Sequence, residues 1–150
     1  MSLFEIISED IKKAMLAREK EKLEALRAVK AAFLLARTEK GASGELTSEA
    51  ELKIVQKLAK QRRESAEIYR QNSRQDLADK ELLEASVIEQ YLPAQMSEHE
   101  LEAALKNIIE RVGAKAPSDM GKVMGVATKE LSGKTDGKAI STKVKQMLGG

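Results

Sequence analysis

Three serine-headed caps stand in front of three apolar stripes, and no other feature narrows the fold of this chain so far. Ser2 and Glu5, Ser48 and Glu51, and Ser97 and Glu100 share one spacing. In that spacing a serine hydroxyl accepts the backbone N–H three residues on, and the glutamate returns to the serine's own N–H. Behind the first box run Leu3, Ile7, Ile11 and Ala14; behind the second, Leu52, Val55, Ala59, Ala66 and Tyr69; behind the third, Leu101, Leu105, Ile108 and Ile109. Apolar residues three and four apart bury one face of a helix, whereas a strand would need strict alternation.

Four further helices follow from the same periodicity. Leu26, Val29, Phe33 and Ala36 place a helix over about Glu19 to Glu39, after a break near Ala17, with a stop at Lys40-Gly41 and Ser43-Gly44 in the loop. Asn72-Ser73 ends the third helix, and a fourth covers about Gln75 to Leu92, because Pro93 disfavours helix in the residue ahead of it. After the turn Lys115-Ala116-Pro117, a sixth helix starts at a Ser118 cap and faces inward with Met120, Val123, Met124, Ala127 and Leu131, ending at Gly133. The seventh is capped by Thr135 or Asp136 and buries Ile140, Val144, Met147 and Leu148. The expected architecture is all-α, with an N-terminal helical domain at 1–93 and a C-terminal three-helix domain at 94–150.

Several function classes drop out on composition. Without cysteine there is no disulfide, thiolate nucleophile or sulfur-ligated metal. No apolar run approaches the roughly 20 residues of a membrane span, and the first residues carry no signal-peptide pattern, so a cytoplasmic location with no membrane contact is expected. The single histidine, His99, lies in an acidic first turn among Glu98, Glu100 and Glu102, and no serine or threonine has a recognisable base partner. The expectation is a chain without catalytic residues, metal or cofactor.

Charge is unevenly spread. The formal net charge is only +2, yet the stretch from Gly113 to Gly150 holds seven lysines against Asp119, Glu130 and Asp136, about +4. Residues 1–93 balance, so the basic excess belongs to the tail and points to an anionic partner. Gly121 and Gly125 stand one helical turn apart with Lys122 and Lys129 beside them. A phosphate chain could approach that notch closely; alternatively, the glycines let a neighbouring helix pack tightly while the lysines stay solvated. In Gly133-Lys134-Thr135-Asp136-Gly137-Lys138 the end of a phosphate-binding loop is imitated. Thr128 stands where its first glycine belongs, however, and a helix precedes it instead of a strand. Lys134 and Lys138 flank the start of the seventh helix, where free N–H groups could hold a phosphate unless a cap takes them.

In the N-terminal part, Arg62 falls on the apolar stripe and calls for a carboxylate from Asp76 or Glu81. Arg63, Arg70 and Arg74 are then solvated or form a weak second basic face. Tyr69 and Tyr91 pack inward, and two phenylalanines with two tyrosines are too few for a base-stacking platform.

The run KQRRESAEIYRQNSRQDLADKELLEASVIEQYLPAQMSEHEL from Lys60 to Leu101, followed by MGKVMG and GKTDGK, resembles the YqeY-like family of the GatB/YqeY domain group. The likeness spans essentially the whole chain, through Arg62, Arg74, Asp76, Glu81, Tyr91, Pro93 and Gln95, then Gly113, Met120, Gly121, Gly133, Asp136 and Gly137. Met96 departs from the leucine common at its position. The resemblance implies a helical N-terminal region and a three-helix tail similar to that of the GatB subunit of tRNA-dependent amidotransferases. The resemblance also implies that the shared tail is a tRNA contact module, without the domain that performs amide transfer. A family label does not by itself carry an activity. Three readings stay open. One is a non-catalytic tRNA-binding adaptor near aminoacyl-tRNA synthesis, with Lys122, Lys129, Lys134 and Lys138 on backbone phosphates and an aminoacyl-tRNA synthetase or amidotransferase subunits as partners. The others are an accessory component of a glutamine-dependent tRNA amidotransferase, and a protein–protein module that binds no RNA.

Overall fold

A computed structural model describes residues 1–39 and 44–149. Among them run seven α-helices and no strand: α1 (Leu3–Ala17), α2 (Lys20–Glu39), α3 (Ser48–Gln71), α4 (Gln75–Glu89), α5 (Glu98–Val112), α6 (Met120–Glu130) and α7 (Gly137–Met147). A short 3-10 turn, Pro117–Asp119, leads into α6. The expected stop at Lys40-Gly41 lies outside the described residues. The helices gather into two compact units, Met1–Leu92 and Pro93–Gly150.

The first unit has the core that its periodicity demands. Ile7 and Ala14 of α1, Leu26, Val29 and Phe33 of α2, Val55 and Ala59 of α3, and Ile88 of α4 are buried together. Tyr91 packs at the margin of this core. Tyr69, expected inside, is only half-buried. Arg18 takes a left-handed conformation, φ 58°, and closes α1 by donating its N–H to Ala14 and Met15. The most extensive helix pairing joins α3 to α4 across the tight turn at Asn72–Arg74, and the small side chains of Ala66, Ala78 and Ala85 are buried.

Two local expectations in this unit are overturned. Thr47, not Ser48, caps α3, its hydroxyl accepting the Ala50 N–H at 3.1 Å. Glu51 does not turn back to close a box. Its carboxylate is buried and reaches α1, accepting the N–H of Phe4 at 3.0 Å and of Leu3 at 3.4 Å. Those are donors that the first turn of a helix leaves without intrahelical partners. The Ser2–Glu5 box satisfies the others, so two devices share one helix start. Helix α4 ends at Glu89 and not Leu92, since the last residues before Pro93 tighten into a turn with Tyr91 N–H on Ile88 and Leu92 N–H on Glu89.

The second unit packs α5, α6 and α7 around Leu101, Leu105, Ile108, Val123, Ala127, Leu131, Ile140, Val144 and Leu148. Its first helix opens on the expected Ser97–Glu100 box and closes on Gly113, whose φ of 70° suits glycine. Ser118 is not the cap of α6. Asp119 governs that entry, folding back to accept the N–H of Lys115 at 3.0 Å and of Ala116 at 3.3 Å. Pro117 starts the 3-10 turn between them, where its missing N–H costs nothing. Asp136 caps α7, one carboxylate oxygen receiving the N–H of Lys138 and of Ala139.

Candidate nucleic-acid interface

Helix α6 separates its two faces cleanly. Val123 and Ala127 point into the core, whereas Gly121, Lys122, Gly125 and Lys129 are exposed. At 100° per residue these four fall within one arc of about 100° on the outer side. A Cβ added at Gly121 or Gly125 would meet nothing within 4 Å. The tight-packing explanation for the two glycines therefore fails, for neither α5 nor α7 approaches them. They leave a strip of bare helix backbone, bordered by two ammonium groups.

Lys134, on the turn before α7, and Lys138, in the first turn of α7, are also exposed, and the turn that carries Lys134 is held firmly within its unit. The carbonyl of Lys134 accepts the Met96 N–H at 2.9 Å, and the carbonyl of Gly133 accepts the Gln95 side-chain amide at 2.7 Å. Gly133 itself is buried with φ 76°. The N–H groups at the head of α7 are taken by Asp136, which closes the phosphate site imagined there.

The acidic residues of the tail are each engaged nearby. Asp119 lies 3.9 Å from Lys122, and the backbone N–H groups of Lys115 and Ala116, with Lys122 contributing less, hold its carboxyl below the usual range. Arg111 of α5 grips Glu130 through two hydrogen bonds, at 2.9 and 2.6 Å, and lowers the Glu130 pKa. Lys143 contributes least to the outward charge: its side chain is only 17% exposed and lies 3.6 Å from both Glu98 and Glu102. It lines a groove of about 490 Å³ between the start of α5 and α7, together with Met96, Leu101, Lys138 and Ala139.

Arg63, Arg70 and Arg74 are each committed to a carboxylate, which removes the second basic face suggested for those three. Arg63 binds Glu89 through two hydrogen bonds, Arg70 pairs with Glu67, and Arg74 with Asp76. Arg62 lies 3.7 Å from Glu81 and 3.4 Å from Glu84, whereas Asp76, beside the turn between α3 and α4, pairs with Arg74. Glu81 was expected from the sequence and Glu84 was not. Nor was the hydrogen bond from the Tyr91 hydroxyl to Asp10, at 2.6 Å. Among the described residues no group of three or more His, Asp or Glu side chains stands together as a metal site, and no helix is long and apolar enough to cross a membrane.

These features define an all-helical protein whose C-terminal unit carries an open, lysine-bordered helix face. The chain belongs to the YqeY-like protein family, whose model matches residues 4–148. It is similar to a protein of Pyrenophora tritici-repentis named Altered inheritance of mitochondria protein 41, mitochondrial. The two are 28% identical over 144 residues, which cover 93% of this chain and 77% of that protein.

Proposed function

We propose that this protein is a non-catalytic tRNA-binding adaptor linked to aminoacyl-tRNA synthesis or amidation. Lys122 and Lys129, with Lys134 of the following turn and Lys138 at the start of α7, contact backbone phosphates. One observation carries the reading: Gly121 and Gly125 face open space on the same exposed surface as Lys122 and Lys129. Glycine in a helix interior costs about 1 kcal/mol relative to alanine, and here no packing within the unit offsets it. Close approach by an external backbone does, and ammonium groups at its border match a polyanion. The choice of tRNA among polyanions rests on the likeness of the tail to the corresponding part of GatB.

The test compares two quadruple variants for binding to a defined tRNA. Changing Lys122, Lys129, Lys134 and Lys138 to glutamate should weaken binding strongly. The same change at Lys12, Lys13, Lys20 and Lys22, in the charge-balanced first unit, should do much less. Equal binding by two folded variants would remove the tail as the RNA surface and leave a protein-binding adaptor. Amide transfer that appears only when amidotransferase subunits are added, and is lost with the tail variant, would make the protein an accessory of that reaction.

A further inference from the structure

Arg62 of α3 faces two carboxylates of α4 and can neutralise only one. Its Nε lies 3.4 Å from Glu84 and its Nη1 3.7 Å from Glu81, with the two glutamate side chains 11% and 18% exposed. Neither contact is a full hydrogen bond: Arg62 Nε and Glu81 Oε2 are buried atoms without a hydrogen-bond partner. The other charges around the joint nearly cancel, as Lys80 of α4 lies 3.7 Å from Glu24 of α2. The joint is thus one positive charge short and holds one buried acceptor with no donor. A single proton remedies both defects, since Glu81 and Glu84 are three residues apart on one helix and so are neighbours.

We propose that Glu81 and Glu84 form a proton-binding pair, in which a proton on Glu84 is donated to Glu81 Oε2 and completes the α3–α4 joint. The first unit then takes up a proton at a pH above the ordinary glutamate range, and is tightened by it. Burial, the largest influence, pushes the Glu84 carboxyl up; Arg62 opposes this, and the Glu81 charge adds to it. A group whose folded pKa is raised contributes stability in full below its unfolded value, near 4.3 for glutamate, and loses that contribution as pH rises through the folded value.

The test uses the full chain and Glu84→Gln, whose amide supplies the missing donor without a charge. Urea unfolding between pH 5 and 8 should show the variant at least as stable as the wild type at pH 8. Its advantage should shrink as pH falls, by up to tenfold in equilibrium constant per pH unit between the two pKa values. Carbon-13 NMR of the glutamate carboxyls should give Glu84 a midpoint above the ordinary range, moving down in Glu81→Gln. An ordinary Glu84 midpoint, or a Glu84→Gln variant less stable than the wild type at pH 8, overturns the proposal. The NMR titration of the wild type decides the matter should a variant fail to fold.

Discussion

Glu51, near the start of α3, accepts the backbone N–H of Phe4, in the first turn of α1, across 3.0 Å. A side chain expected to cap its own helix caps another, and fixes where α1 begins relative to α3. Replacing Glu51 by alanine strands the Phe4 and Leu3 donors in a half-buried setting and should cost about 1–3 kcal/mol. Glutamine retains a carbonyl acceptor and should cost less. Urea midpoints, with amide exchange at Phe4, measure both. A Glu51→Ala protein as stable as the wild type, with Phe4 still protected, would contradict this role.

Tyr91 offers a test at the alkaline end. Burial first, then its hydrogen bond to Asp10, raises the phenol pKa well above its ordinary value. Folded above unfolded means that the contribution is intact below about pH 10 and is lost as pH climbs through the folded value. Tyr91→Phe should lower stability at neutral pH by about 0.5–1.5 kcal/mol and make stability above pH 10 fall less steeply. Parallel pH profiles for the two proteins would count against the coupling.

The glycines of α6 separate stability from binding. Because an added Cβ meets nothing at Gly121 or Gly125, alanine at either position should stabilise the protein by about 1 kcal/mol. The same changes should reduce tRNA affinity if the bare strip is a contact surface. A rise in Tm with unchanged affinity would detach the notch from the lysines. At Gly113, where φ is 70°, alanine should instead destabilise by about 1 kcal/mol.

Salt distinguishes phosphate contact from other forms of binding. Three or four neutralised phosphates give a slope of log affinity against log salt of roughly −2 to −4. The tail variant should flatten that slope, and a wild-type slope near zero would exclude phosphate contact as the main interaction.

The helices were legible because their signals are local: a hydroxyl three residues before a glutamate, an apolar residue every third or fourth place, a glycine at the end. What escaped the sequence was choice among equivalent partners. The Ser48–Glu51 spacing looks the same whether Glu51 turns back or crosses to α1, and only the proximity of α1 decides. Arg62 was readable as a buried cation in need of a carboxylate, but the sequence does not show which part of α4 stands opposite it: Asp76 lies beside the turn with Arg74, and Glu84 lies one turn beyond Glu81 on the same side of α4. The exposure of Lys122 and Lys129 followed from their place off the apolar stripe of α6. The direction faced by Gly121 and Gly125 did not, since a glycine that admits another helix and one that admits solvent are identical in a sequence.

During synthesis, the hydrogen bond between Tyr91 and Asp10, 81 residues apart, becomes an interval of time. At roughly 5–20 residues per second, the ribosome makes Asp10 about 4–16 s before its partner exists. In that interval the nascent α1 can lie against its immediate successor, α2. Glu51, which holds its head, arrives midway, and the phenol that ties its middle arrives last. The emerging chain therefore carries a partly anchored helix with one apolar side, open to chaperones for as long as the next three helices take to appear. Helix α1 is made before the helices it packs against and is fully tied down only after the last of them.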